Sequence, residues 1–259
     1  MKTEHLLIFA ALLLLGGCRS ATVKPVLPAT PSTPPRLSAT KFVAYGDSIT
    51  EGFVQRCPGN QPDEVRPLAI GFFQLQGRSQ PSPTGYPAKL QALLEARYPS
   101  QMISVINEGR GGEEIESGVA NLPRVLTANM PQVLLLQEGI NTLNERRTAG
   151  IPLVVDGLRT MIQEARSRSV TVFAATLLPQ RPGGCRAYDF AEGFDDIIEA
   201  NVQIRRMIGT EGAVLVDLYE VFNGQTAMLL GEDGLHPSAA GYERIAEAFF
   251  AAIRRYLES

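Results

Sequence analysis

Ser48, Asp233 and His236 are the residue types that acyl transfer at neutral pH requires. Once an N-terminal signal is set aside, His236 is the one histidine of the chain, three residues after Asp233 in Asp233-Gly234-Leu235-His236-Pro237. Ser48 lies near the other end, in Tyr45-Gly46-Asp47-Ser48-Ile49-Thr50. A serine hydroxyl attacks a carbonyl only when a base of suitable pKa takes its proton, and imidazole is the usual base. A carboxylate three residues before the imidazole can reach Nδ1 and fix the tautomer that leaves Nε2 free to accept from Ser48. Taken alone, Ser48 reads equally as an N-cap serine opening a short helix. A lone histidine is more often a cap or surface residue; the local carboxylate, glycine and proline tip His236 toward chemistry. The flanks of Ser48 are not Gly-x-Ser-x-Gly, which disfavours the α/β-hydrolase elbow.

Two further segments offer donors for the negative charge that such an attack creates. Asn107-Glu108-Gly109-Arg110-Gly111-Gly112 is glycine-rich but fails both phosphate-binding templates. It lacks Gly-Lys-Ser/Thr, and Glu114 stands where a dinucleotide fingerprint needs glycine or alanine. Gly112 can instead expose a backbone N–H to an oxyanion, the alternative being a plain tight turn. Asn141, in Gly139-Ile140-Asn141, supplies a neutral side-chain donor, or else bonds its own loop backbone. Asp217 is a second acid that competes for the role of orienting the base, but its distance in sequence from His236 makes a structural role the expectation. Arg146-Arg147 reads as a solvated loop, with the gripping of an anionic substrate as the alternative.

These residues need a frame. Short apolar segments at 41–45, 102–106, 132–137, 170–175 and 214–216 read as strands buried on both faces of a parallel sheet. Helical spacing covers 88–97, about 154–168 and 197–208, and Tyr242, Ile245, Ala246, Phe249, Ile253 and Leu257 form one apolar stripe on a last helix. The alternation predicts an α/β fold, a three-layer α/β/α sandwich with a five-stranded parallel sheet and right-handed crossovers. Each candidate segment then falls at the carboxyl end of a strand, where open α/β sheets place their sites.

The four segments, in this order, resemble the blocks of the SGNH (GDSL) hydrolase family. Gly46-Asp47-Ser48-Ile49-Thr50 is similar to the first, Asn107, Gly109 and Gly112 to the second, Gly139 and Asn141 to the third, and Asp233 to Pro237 to the last. The resemblance runs from about residue 41 to the C-terminus. It implies the flavodoxin-like fold of that family and a serine esterase or acylhydrolase without cofactor or metal. Ser48 would be the nucleophile and His236 the base, oriented by Asp233. The oxyanion hole would comprise the Ser48 and Gly112 N–H groups and the Asn141 side chain. Thr142 stands where the third block commonly has aspartate, and Glu113-Glu114 where Asp-Thr often follows the second; both bear on how Asn141 is held.

The rest of the chain sets the context. An apolar run at 6–15 after Lys2 is too short to span a bilayer but suits a secretion signal. It ends in Leu15-Gly16-Gly17-Cys18, which resembles a lipoprotein signal. Residues 1–17 are therefore expected to be a signal peptide. Cys18 would be the lipidated first residue and 18–40, with five prolines, a tether reaching roughly 60 Å. Residues 41–259 would form one hydrolase domain. This predicts an extracytoplasmic protein anchored by lipid to a bacterial envelope, with ordinary secretion as the alternative. A net charge of −3 gives no footprint for nucleic acid. The two cysteines left in an oxidising compartment, Cys57 and Cys185, are expected to pair. The long segment 53–85, with five prolines and Phe72-Phe73, either rims the site or is a surface excursion. The expected reaction is hydrolysis of short-chain or O-acetyl esters, of small molecules or glycans, through an acyl-enzyme. Lipase-like or acyltransferase activity, or non-catalytic carbohydrate binding on the same fold, are the alternatives.

Overall fold

Five parallel strands carry the molecule: β1 (Lys41–Gly46), β2 (Ser104–Gly109), β3 (Val133–Gln137), β4 (Thr171–Ala175) and β5 (Val214–Val216). The computed structural model describes residues 34–54, 57, 83–186 and 194–259, so the signal, Cys18 and most of segment 53–85 lie outside the described residues. The strand order is β2-β1-β3-β4-β5 with every pairing parallel. This is the flavodoxin-like order, in which the strand order reverses between β1 and β3 and opens a crevice at their carboxyl ends.

The strands are buried because they are apolar on both faces. All five residues of β3, Val-Leu-Leu-Leu-Gln, are inaccessible, as are five of the six in β1. Following β1 come α1 (Ser48–Glu51) and α2 (Tyr86–Arg97); β2 leads into α3 (Ile115–Asn129) and β3 into α4 (Ile140–Arg146) and α5 (Gly150–Ser167). After β4 comes α6 (Phe194–Thr210), and after β5 come α7 (Leu218–Phe222), α8 (Thr226–Leu229) and α9 (Ala239–Leu257). Helices α3, α5 and α6 pack side by side, while α2 packs on α9. Right-handed crossovers put these two groups on opposite faces, the expected three layers. The α9 stripe is as expected: Tyr242, Ile245, Ala246, Phe249, Ile253 and Leu257 are all buried.

Several elements differ from the sequence expectation. Strand β2 starts and ends later than 102–106, because Met102 is 96 % exposed whereas Asn107, Glu108 and Gly109 pair with Ala44, Tyr45 and Gly46. Helix α3 was not anticipated, since Gly118 and Pro123 interrupt its apolar pattern. Arg146 closes α4 rather than lying in a solvated loop, and it pairs with Glu114 at 2.9 Å and with Glu116. The residues just before β1 are also part of the folded body. Leu37 and Ala39 are buried, and residues 36–38 exchange backbone hydrogen bonds with Leu257, the last residue of α9, and with Ser259 beyond it, so the tail end of the expected tether 18–40 is structured.

Candidate active site

Ser48, His236 and Asp233 meet at the carboxyl end of the sheet. Ser48 Oγ lies 2.8 Å from His236 Nε2, and His236 Nδ1 lies 2.5 Å from Asp233 Oδ2. The carboxylate can only accept, so Nδ1 carries the proton and Nε2 is left to accept from the hydroxyl. Burial opposes ionisation of Asp233. The hydrogen bond and charge of His236, with the N–H groups of Leu235 and His236 on Oδ1, outweigh it and hold the carboxyl below the ordinary range. These N–H bonds, both 3.0 Å, wrap residues 233–236 around the acid, and Pro237 then leads to α9. The Phe53 ring meets the imidazole edge-on, with centroids 4.9 Å apart, a neighbour no sequence signal announced.

The Ser48 segment is held by close approach. A Cβ on Gly46 would lie 1.8 Å from the Gln137 carbonyl oxygen, and one on Gly109 would lie 2.1 Å from the Glu51 nitrogen. Only glycines let β1, β3, β2 and α1 crowd this tightly. The N-cap of α1 is Asp47, whose Oδ1 accepts from the Ile49 N–H at 2.9 Å. Ser48 is thus the first helical residue, not the cap. Its N–H is among the first-turn donors that a helix leaves unused. Asn107 is structural: its amide bonds the Glu51 carbonyl at 3.3 Å and its oxygen accepts from Gly109 at 2.9 Å.

The other two donor segments converge on the same end. Gly112 adopts φ +73°, and nothing lies within 4 Å of where its Cβ would stand. The Gly111 N–H donates to the Glu51 carboxylate, which fastens this loop to α1. Burial raises the Glu51 carboxyl, opposed by that N–H and by the charge of His236, so the Glu51 carboxylate lies within electrostatic range of the imidazole. Asn141 Nδ2 donates to the Glu113 carbonyl at 2.9 Å, which uses one of its two hydrogens. Thr142 bonds the N-terminus of α3, with Oγ1 accepting from the Ile115 N–H at 2.9 Å. Residue 142 and the 113–114 pair therefore lock the Gly112 loop to α4.

Asp217 takes no part in the site. It caps α7 and pairs with Arg205 at 2.8 Å; burial is outweighed by that arginine, and the carboxyl lies below its ordinary range. The Cys57–Cys185 disulfide is formed, with Cα atoms 5.6 Å apart. Among the described residues no His, Cys, Asp and Glu side chains cluster as a metal site, and no helix is long and apolar enough to cross a membrane.

Comparison with known proteins agrees with this frame. The model of the GDSL-like lipase/acylhydrolase family matches residues 44–244. An acetylxylan esterase of Geobacillus stearothermophilus is 28 % identical over 234 residues, covering 83 % of this chain and 94 % of that protein. Similar solved structures include a lipase/acylhydrolase from Enterococcus faecalis, with TM-score 0.63, 22 % identity and coverage of 84 % of this chain and 97 % of that one. A catalytic mutant of an acetylxylan esterase from Geobacillus stearothermophilus gives a TM-score of 0.64 at 20 % identity, covering 84 % and 95 %. At these identities the structural likeness speaks for the fold.

Proposed function

The chain belongs to the GDSL-like lipase/acylhydrolase family and is an ester hydrolase of that family; from this premise we propose that Ser48, His236 and Asp233 form its catalytic triad and that it removes acetyl or other short acyl groups from hydroxylated, sugar-like substrates. The observation that carries the triad is the unbroken hydrogen-bonded chain from Ser48 Oγ through His236 to Asp233. Ser48 Oγ attacks the acyl carbonyl while Nε2 takes its proton, and the oxyanion accepts from the Ser48 and Gly112 N–H groups and Asn141 Nδ2. As the intermediate collapses, His236 returns the proton to the leaving alcohol, which departs. Water, deprotonated by the same nitrogen, then attacks the acyl-enzyme, and His236 passes that proton to Ser48 Oγ as the bond to the acyl carbon breaks and the acid leaves. Asp233 stays ionised throughout and stabilises the imidazolium.

The acyl preference is supported by the acetylxylan esterase relative of near-equal length. A fluorophosphonate probe should label the wild type and not Ser48→Ala; equal labelling of both would dismiss the triad. Aryl esters from acetyl to long-chain, together with acetylated xylo-oligosaccharide, then test the substrate. Highest kcat/KM on acetyl esters is expected, and a preference for long chains would point to a lipase instead. We also propose, on the sequence of residues 6–18 alone, that Cys18 carries a lipid anchor to the bacterial envelope; failure of Cys18 to incorporate labelled fatty acid in cells would remove it.

A further inference from the structure

Asp47 and Glu138 each follow directly on the last paired residues of the two central strands, Gly46 and Gln137, which stand opposite one another in register. Both side chains are fully buried. They use one oxygen in the same way: Asp47 Oδ1 accepts the Ile49 N–H at 2.9 Å and Glu138 Oε1 accepts the Gly139 N–H at 3.1 Å. Their second oxygens, Asp47 Oδ2 and Glu138 Oε2, are buried and meet no hydrogen-bond partner among the described residues. Glu138 Oε2 lies over Gly118 of α3, 3.7 Å from where a Cβ would be, a surface that offers it no donor.

The groups that face this pair do not neutralise it. Glu113 adds a third carboxyl from the loop before α3, and the charges of Arg110 and Arg124 act on Glu113. From α2 and α9 the Tyr86 and Tyr242 hydroxyls face Asp47, both held neutral by burial, and Tyr45 on β1 lies within reach of Glu113 and Glu138. Two ionised carboxylates placed together in an interior with no cation to balance them repel strongly, and the ordinary resolution is to keep a proton. We propose that Asp47 and Glu138 together retain a proton at neutral pH and serve as a positioning pair beside the oxyanion hole, keeping their combined charge to no more than one negative unit. Burial first, then the neighbouring carboxylates, push both groups above their ordinary range, and the Ile49 and Gly139 N–H bonds only partly oppose this.

The placement gives the proton a catalytic consequence, which rests on the reading of Ser48 and Asn141 as oxyanion donors. Asp47 immediately precedes Ser48 and caps its helix. Glu138 bonds Gly139, the N-cap of the helix that carries Asn141. A second negative charge here would act on the developing oxyanion through the low dielectric of the interior and raise the barrier. The pair makes no contact with substrate; it sets the field in which the donors work.

Infrared spectroscopy of the whole protein at neutral pH tests the proton directly. The wild type and Ser48→Ala should both show the C=O stretch of a buried carboxylic acid, weakened or lost in Glu138→Gln. That variant is isosteric and keeps an oxygen for the Gly139 N–H, so it is expected to fold; Asp47→Asn is the second variant. Absence of the band in the wild type, or its persistence unchanged in both variants, overturns the proposal. The kcat of the wild type should fall at alkaline pH as the pair loses its last proton, a limb missing from Glu138→Gln. An identical limb in both removes the catalytic consequence. A band present in a protein whose ester hydrolysis survives Ser48→Ala would sink the triad and leave the proton standing.

Discussion

Asp47, not Ser48, caps the first helix, and the two adjacent residues thereby divide two tasks that a serine at this turn could otherwise have combined. A capping serine spends its oxygen on a backbone N–H. Here Asp47 Oδ1 takes that bond at 2.9 Å, and Ser48 Oγ is released to lie 2.8 Å from His236 Nε2. Ser48 is buried, and its hydroxyl is directed by the contact with His236 Nε2.

The triad geometry fixes an order of severity. Ser48→Ala and His236→Ala should each abolish the fluorophosphonate-sensitive activity. Asp233→Asn keeps the shape but presents an amide, which favours the wrong imidazole tautomer, and kcat should fall by about 10³–10⁴-fold with little change in KM. Steady-state kinetics on one aryl acetate separates these outcomes, and a tenfold or smaller loss in Asp233→Asn would mean that the 2.5 Å contact orients nothing.

Asn141 and Thr142 should part company although they are neighbours. Asn141→Ala removes the proposed oxyanion donor and should cost about 3 kcal/mol of transition-state stabilisation, about 10²-fold in kcat, and, by releasing the Glu113 carbonyl, about 1 kcal/mol of folding stability. Thr142→Val removes the oxygen that receives the Ile115 N–H and should cost about 1 kcal/mol of folding stability, with a smaller loss of kcat. Unchanged kcat in Asn141→Ala would take that residue out of the oxyanion hole.

Much of this frame is legible in the sequence, for reasons that differ between elements. Strands β1 and β3 and helix α9 announce themselves because burial demands uninterrupted or strictly spaced apolar residues there. Strand β2 misleads, since its pairing partner Gly46 lies opposite Gly109 and draws polar residues 107–109 into the sheet while apolar Met102 is left outside. Helix α3 hides behind Gly118, and Gly118 is where the Glu138 carboxyl packs. Ser48, Asp233 and His236 are legible because the proposed chemistry requires those residue types. Asp47, Glu113 and Glu138 are not, because a carboxylate in a sequence reads as surface and only tertiary packing buries it. The expectation that segment 53–85 rims the site falls largely outside the described residues.

The buried acids and Asp233 pull the pH dependence of stability in opposite directions. Asp233 ionises more readily folded than unfolded, so its contribution is fully present above the ordinary carboxylate range and is lost as pH falls through its depressed value. Asp47 and Glu138 are raised, Asp47 to about 7. Between roughly pH 4 and that value the folded state binds more protons than the unfolded chain, and stability falls as pH rises, by up to about 1.4 kcal/mol per pH unit for each proton. Urea titrations across this window should show that decline in the wild type and a flatter profile in Glu138→Gln, whose advantage grows with pH. A wild-type profile that rises through the window would contradict the raised values.

The disulfide should matter to the base as well as to the fold. Cys185 lies in the loop 181–186, which grips the turn that carries Asp233. The Arg181 N–H bonds the Gly234 carbonyl at 2.8 Å, the Arg186 N–H bonds the Asp233 carbonyl at 3.2 Å, and Arg181 Nη2 bonds the Gly231 carbonyl at 2.6 Å. Cys57, nine residues after Ser48 in sequence, itself reaches that turn, where its N–H bonds Glu232 Oε2 at 3.3 Å. The cross-link thus fastens the stretch of chain that follows Ser48 to the turn that carries Asp233. With a sequence separation of 128 between the cysteines, chain entropy alone predicts a loss of about 4–5 kcal/mol in the Cys57→Ser/Cys185→Ser double variant, less any strain the bond imposes. Thermal unfolding should shift down by several degrees, and at a temperature where the variant remains folded kcat should drop while KM changes little, as expected if the Asp233–His236 turn wanders from Ser48. Equal kcat in the two proteins under those conditions would confine the cross-link to stability.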